Sequence, residues 1–437
     1  MSFELTEYKL EDALDALIDY RGKTPVKTNR GVPLITAKII KGGRIEKPTE
    51  FIAFDNYDAW MRRGIPKAGD VVLTVEAPLG EVAQLGNEKV ALAQRVVTLR
   101  GKAGVLDSTY LLYLLQTNEV QEKLKARASG STVIGIKQSE LRKVSISLPN
   151  MPTQRAVAKF LKSVDLSIDS LKHQNFTLEA IAQRLFRSWF VNFDPVHTKA
   201  AGKEPEAMSA ELAALFPSEF EDSELGHIPK GWSVTTFGDA FDIKGGATPS
   251  TSEPLYWNGG THAWATPKDM SSLASKVMYR TQRQITAAGV AKISSKALPA
   301  GTVLMSSRAP VGYLAIAKVP ISINQGFIAI PPTQGIPASF TVELLAQKMP
   351  DIKANAGGTT FAEISKTQFR PIKWTRPSDK VLAAFGKLVE PLYAQVHGNC
   401  LLVDSLASLR EHLLPRLISG KLSLEEAEQA MAEATVD

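Results

Sequence analysis

The sequence predicts an α+β protein: two pseudo-repeated domains, each a twisted, mostly antiparallel sheet with helices, separated by two long coiled-coil helices. Three observations carry this. Apolar residues recur at alternating spacings of four and three from Val157 to Trp189. Short β-branched or apolar runs bracketed by Gly and Pro fall at matching places in both halves. A series of motifs recurs in one order at a near-constant offset.

The first long helix follows from Val157, Leu161, Val164, Ile168, Leu171, Asn175, Leu178, Ala182, Leu185 and Trp189, the seam of a helix packed lengthwise on another. Residues 152–190 at helical rise make a rod of roughly 58 Å. Adding 225 to each number gives Leu382, Gly386, Val389, Tyr393, Val396, Cys400, Val403, Ala407, Arg410 and Leu414, again mostly apolar. The partner helix therefore lies in the same chain. Pro391 interrupts it and predicts either a restart or a kink, since proline removes an amide donor and clashes with the preceding turn. Asn175 and Cys400 fall at equivalent seam positions; a polar residue there fixes register at some cost in stability.

The repeat is the strongest signal. Arg21-Gly-Lys-Thr-Pro25 is answered by Lys244-Gly-Gly-Ala-Thr-Pro249, and Glu76-Ala-Pro-Leu-Gly80 by Arg308-Ala-Pro-Val-Gly312. Ala93-Gln-Arg95 matches Asn324-Gln-Gly326, and Ser129-Gly-Ser-Thr132 matches Gly357-Gly-Thr-Thr360. Within the units, Val71–Val75, Val303–Ser306, 320–324 and 326–330 read as strands. Leu111 to Leu124 and Phe340 to Lys348 read as amphipathic helices. The boundaries that follow are 1–151 and 230–376 for the domains, 152–192 and 377–424 for the long helices, 193–229 for a connector with a short helix near Ser209 to Leu215, and 425–437 for an acidic tail.

Charge narrows the partners. The net charge is +6, but Tyr20 to Arg63 holds ten Lys/Arg against four Asp/Glu, and Lys244 to Arg308 eight against two. Two basic patches in equivalent places point to a polyanion; a solvated lysine-rich face is the plain alternative. The single cysteine excludes an internal disulfide and a cysteine-built zinc site. The six histidines are scattered without ligand spacing, so no metal is expected. Acidic residues crowd the first turns, unlike a secretion signal, and no apolar run is long enough to cross a bilayer. A cytoplasmic location without membrane contact is expected.

No catalytic residues are expected either. The only Pro-Pro, Pro331-Pro332, is not in the Asn/Asp-Pro-Pro-Tyr/Phe setting of an amino-methyltransferase, and Gly-x-x-x-x-Gly-Lys-Ser/Thr is absent. Pro350-Asp351 reads as a loop. The glycine-rich segments read first as turns, since Gly tolerates positive φ, and second as backbone amides for phosphate.

A family resemblance rests on the longer motifs. Ile181-Ala-Gln-Arg-Leu-Phe-Arg-Ser-Trp-Phe-Val-Asn-Phe-Asp-Pro-Val196 resembles the central conserved region of type I restriction-modification specificity subunits. Leu225-Gly-His-Ile-Pro-Lys-Gly-Trp232 resembles the entry to their second half, and Leu409-Arg-Glu-His-Leu-Leu-Pro-Arg-Leu-Ile-Ser-Gly-Lys-Leu422 their distal ending. The Ala-Pro-x-Gly and Asn-Gln-Gly segments are similar to those of their target recognition domains. Ala93-Gln-Arg95 departs from that pattern.

The resemblance implies two target recognition domains, each reading half of a bipartite site on double-stranded DNA. It also implies that the two long helices pack antiparallel, fix the gap, and dock two methyltransferase (M) subunits, with restriction (R) subunits joining that core. S-adenosylmethionine, ATP and Mg2+ then belong to the partners and none to this chain.

For DNA contact the basic candidates are Lys38, Lys41, Arg44, Arg62 and Arg63 in the first unit. Lys268, Lys276, Arg280, Arg283 and Arg308 are those in the second. Arg grips guanine O6 and N7, while Lys and Arg on phosphate give affinity without sequence; for any one of them an exposed solubilising charge is the plain reading. Phe186, Trp189 and Phe190, with Leu413, Leu414 and Leu417 in the matching part of the second helix, either close the chain's own core or form a partner-binding socket. The alternative function is a two-headed coiled-coil scaffold that binds protein and no DNA.

Overall fold

The computed structural model describes residues 4–22, 24–358 and 362–436. Lys23 of the first glycine-rich motif, Thr359 and Thr360 of the last, and Asp437 of the tail lie outside them. The chain forms two compact units, residues 1–169 with 404–437 and residues 170–403.

Each unit repeats one topology. In the first, Val71–Val75 lies between Val96–Gly101 and Leu79–Gln84, antiparallel to both. In the second, Val303–Ser306 lies between Phe327–Ile330 and Leu314–Ala317 in the same way. A smaller three-stranded sheet accompanies each. Val32–Ile35 pairs antiparallel with Phe51–Ile52 and parallel with Ala91–Leu92. His262–Ala265 pairs antiparallel with Arg283–Ile285 and parallel with Ile321–Ile323. A final antiparallel pair ties the start of each domain to its end: Thr6–Lys9 with Ser145–Leu148, and Ser233–Thr236 with Lys373–Arg376. The motif offset of the sequence is thus an offset between equivalent strands, although the fourth strand differs: Leu14–Asp19 pairs with Val96–Gly101 in the first sheet and Val277–Met278 with Leu314–Ala317 in the second.

The strands are built from fully buried runs, Val71-Val-Leu-Thr-Val75 and Val303-Leu-Met-Ser306. β-Branched and apolar side chains on both faces suit a strand covered on each side. Thr74 and Ser306, buried at equivalent places, place their hydroxyls alike: Glu81 N donates to Thr74 Oγ1 at 2.9 Å and Tyr313 N to Ser306 Oγ at 2.8 Å.

Two helices of 40 residues each follow the domains, α1 (Met151–Phe190) and α2 (Asp379–Ile418). Within the second unit Asn175 meets Cys400 at 3.4 Å. Within the first, Asp165 meets Arg410 at 2.6 Å. In the second unit Phe186 also packs on Phe385; eleven residues forward along α1 correspond to fifteen back along α2, so there the helices run antiparallel. The seam residues of α1 are all buried or half-buried. α2 is one helix through Pro391, so the predicted restart does not occur.

Other expectations change. The helix expected over Leu111–Leu124 is two, Ser108–Leu114 and Asn118–Ala126. Asp107 caps the first by accepting from Thr109 N and Tyr110 N, which satisfies two of its free amides. Pro350 and Asp351 are helical, in Met349–Ala354, with Pro350 in the first turn, where its missing amide costs nothing. The connector carries a helix Asp194–Ala200 and a hairpin of Phe220–Ser223 with Gly226–Pro229 besides the short helix Ala210–Ala213. The acidic segment is the helix Leu424–Val436. Among the described residues no helix is long and apolar enough to cross a membrane.

Candidate nucleic-acid interface

The repeated motifs converge on one loop assembly in each domain. Strand Val71–Val75 leads into the cis Ala77–Pro78 turn, and Val303–Ser306 into the cis Ala309–Pro310 turn, with Ala77 and Ala309 both at positive φ. A second loop docks on each turn. Ser129 and Gly135 exchange backbone hydrogen bonds at 2.9 and 3.0 Å, as do Gly357 and Glu363 at 2.9 Å both ways. Ile136 N then donates to Val75 O, and Ile364 N to Ser307 O, each at 3.0 Å. Gly130 is needed here: at φ +128 an added Cβ would lie 2.1 Å from Val133 O.

Charge differs where backbone agrees. Arg95 Nε pairs with Glu76 at 3.0 Å in the first domain. In the second, Arg308 stands at the place of Glu76 and faces Glu363 at 3.7 Å. Gly326 stands at the place of Arg95, where a Cβ would come within 2.8 Å of Pro267. The departure Ala93-Gln-Arg95 therefore supplies the counter-ion for Glu76.

The ten basic candidates divide by what already holds them. Lys38, Arg62 and Lys268 are exposed and make no ion pair among the described residues. Arg283 is exposed and rests on an indole, 3.7 Å above Trp257; Arg280 lies 5.7 Å from the Tyr279 ring. Lys41 pairs with Glu46 at 3.0 Å, Arg44 with Asp169 at 2.8 Å, and Arg308 with Glu363. Arg63 donates to the carbonyls of Asp19 and Arg21. Lys276 is half-buried and held within the fold. Its ammonium is 2.8 Å from Glu343, which is 1% exposed and also accepts from Tyr393. Burial, and then that carboxylate, push the Tyr393 phenol far above its ordinary range, so it stays a donor.

Lys366 and Arg370 were not singled out from the sequence. With Lys244, Gly245, Ser294 and Ser295 they line a cavity of about 360 Å³. The signal was available: the two basic residues are four apart, at the start of a segment opened by the Ser365–Gln368 capping box.

Phe186, Trp189 and Phe190 are buried against Phe216, Trp232, Phe340 and Phe385. Leu413, Leu414 and Leu417 are buried as well. As placed, these six side chains pack into the chain's own core.

The type I restriction modification DNA specificity domain family matches residues 7–180 and 229–381, once for each repeat. The chain belongs to that family. The HindI specificity subunit of Haemophilus influenzae is 26% identical over 404 residues, spanning 82% of this chain and 87% of that protein. The MjaIX specificity subunit of Methanocaldococcus jannaschii is 37% identical over 182 residues, 40% of this chain and 42% of that one. The latter alignment thus spans about two fifths of the relative's length. A crystal structure of a type I restriction-modification system S subunit from M. genitalium shares the fold at TM-score 0.58 and 18% identity, covering 95% of this chain and 96% of that one.

Each DNA specificity domain therefore carries one copy of the loop assembly. Glu7-Tyr8-Lys9 is a Glu-x-Lys triplet, a pattern also used by metal-dependent nucleases. It lies in the strand Thr6–Lys9, and among the described residues no three His, Cys, Asp or Glu come together to hold a metal.

Proposed function

We propose that this chain is the sequence-reading subunit of a type I restriction-modification complex, in which each specificity domain reads one block of a bipartite duplex target. The carrying observation is the repeat itself: two domains of one topology, each matched by the DNA specificity domain family, on one antiparallel helix pair. Duplex strands are related by two-folds, and a duplicated reader suits such a ligand. The long helices, about 60 Å each at helical rise, set the gap between the blocks and dock two methyltransferase subunits. Restriction subunits complete the assembly. The chain itself is non-catalytic and cytoplasmic; S-adenosylmethionine, ATP and Mg2+ act on the partner subunits.

The test is equilibrium binding of the full-length chain to duplex DNA across a salt series. Affinity falling linearly in log–log form, with a slope of several phosphate contacts, supports the reading. Salt-independent or absent binding favours the protein-binding scaffold. Uptake of labelled S-adenosylmethionine by the isolated chain would overturn the non-catalytic assignment.

A further inference from the structure

Arg283 begins the edge strand Arg283–Ile285 and pairs with Trp264 in the neighbouring strand. Its guanidinium carbon lies 3.7 Å from the ring centre of Trp257 and 5.5 Å from that of Trp264. The two indoles are perpendicular, 5.0 Å apart at 87°. Both are tied down: Trp257 Nε1 donates to Ser250 O at 2.8 Å and Trp264 Nε1 to Ala247 O at 3.3 Å. Trp264 is buried with Ile285 and Ile293. The platform is therefore fixed from below by packing and from the side by hydrogen bonds.

Stacking occupies the face of a guanidinium and leaves its edge, where five N–H donors lie in one plane. Arg283 is exposed and has no carboxylate partner among the described residues. This separates it from Arg44 and Arg308, whose donors face Asp169 and Glu363. A phosphate contact carries no sequence information and can also be made by a point charge on a flexible stem, such as Lys268. A fork held in plane before binding loses less freedom on meeting a planar acceptor pair.

We infer that Arg283 is a base-reading residue of the second specificity domain, donating from its fork to O6 and N7 of one guanine in the major groove. The inference rests on the DNA-reading function proposed above. Trp257 and Trp264 are its positioning residues.

The experiment is selection from a randomised duplex library by the full-length chain in complex with its modification subunits, comparing wild type with Arg283→Lys, Arg283→Ala and Trp257→Leu. Arg283→Lys keeps the charge and loses the fork. It is expected to relax preference at a single guanine of one block by about 5- to 150-fold, with the other block unchanged. Trp257→Leu is expected to weaken preference at that same guanine. An unchanged selection with Arg283→Lys overturns the inference. So does Arg283→Ala if it weakens all sequences alike and lowers the salt slope by about one, which is the behaviour of a phosphate contact. If wild type selects no sequence, the proposed function itself fails, and this inference with it.

Discussion

Asn175 Nδ2 donates to Cys400 Sγ at 3.4 Å, and the two residues hold the same place in the two long helices. The contact lies where the two helices run antiparallel within the second unit. Asn175 is 5% exposed, and its Oδ1 accepts from Asn399 Nδ2 at 2.9 Å. Asn175→Ala removes that acceptor, leaving Asn399 Nδ2 only the longer contact with Gln174 Oε1 at 3.4 Å, and is expected to destabilise the second unit by about 1–3 kcal/mol. Five of the six tryptophans lie in residues 170–403, so the fluorescence transition in denaturant is the measurement.

Lys276→Met leaves the buried Glu343 carboxyl without its ammonium partner. Removing one member of a buried pair costs about 3–5 kcal/mol, and the same fluorescence transition should shift accordingly. Lys276→Met with Glu343→Leu should recover most of the loss. A single mutant indistinguishable from wild type would show that the pair carries no weight.

Burial raises the pKa of Glu179, offset in part by the Lys276 amide that donates to it at 2.6 Å. A carboxyl raised in the folded state releases its proton later than in the unfolded chain. Its contribution is therefore largest below the ordinary carboxylate range and is lost as pH rises through the folded value. Glu179→Gln keeps the accepting oxygen and should flatten that decline. Melting temperature measured from acid to neutral pH checks it.

Lys38 and Arg62 are exposed and make no ion pair among the described residues. If they hold phosphates, Lys38→Ala with Arg62→Ala should weaken binding to every duplex alike and reduce the log–log salt slope by about two. An unchanged slope removes both from the interface.

The sequence made the duplicated architecture legible because periodicity and spacing are local signals. The seam from Val157 to Trp189 and the paired Ala-Pro-x-Gly turns needed no knowledge of what packs on them. Lys276 shows where that stops: its neighbour Glu343 is 67 residues away, and nothing near Lys276 in sequence says its charge is half-buried and paired. At Pro391 no restart occurs, since a 40-residue helix held along its length by packing tolerates a proline that an isolated one would not. Arg283 was visible as one basic residue among ten. Its platform was not, because Trp257 and Trp264 reach it only through sheet pairing and the loop at Ala247 to Ser250.

The most direct measurement is a map of modified sites in cells carrying the complete system, made with this chain and with a version whose residues 230–376 come from another specificity chain. Two short blocks separated by an unread gap, with only one block changing on exchange, is the predicted result. A single uninterrupted site, or both blocks changing together, would contradict the account.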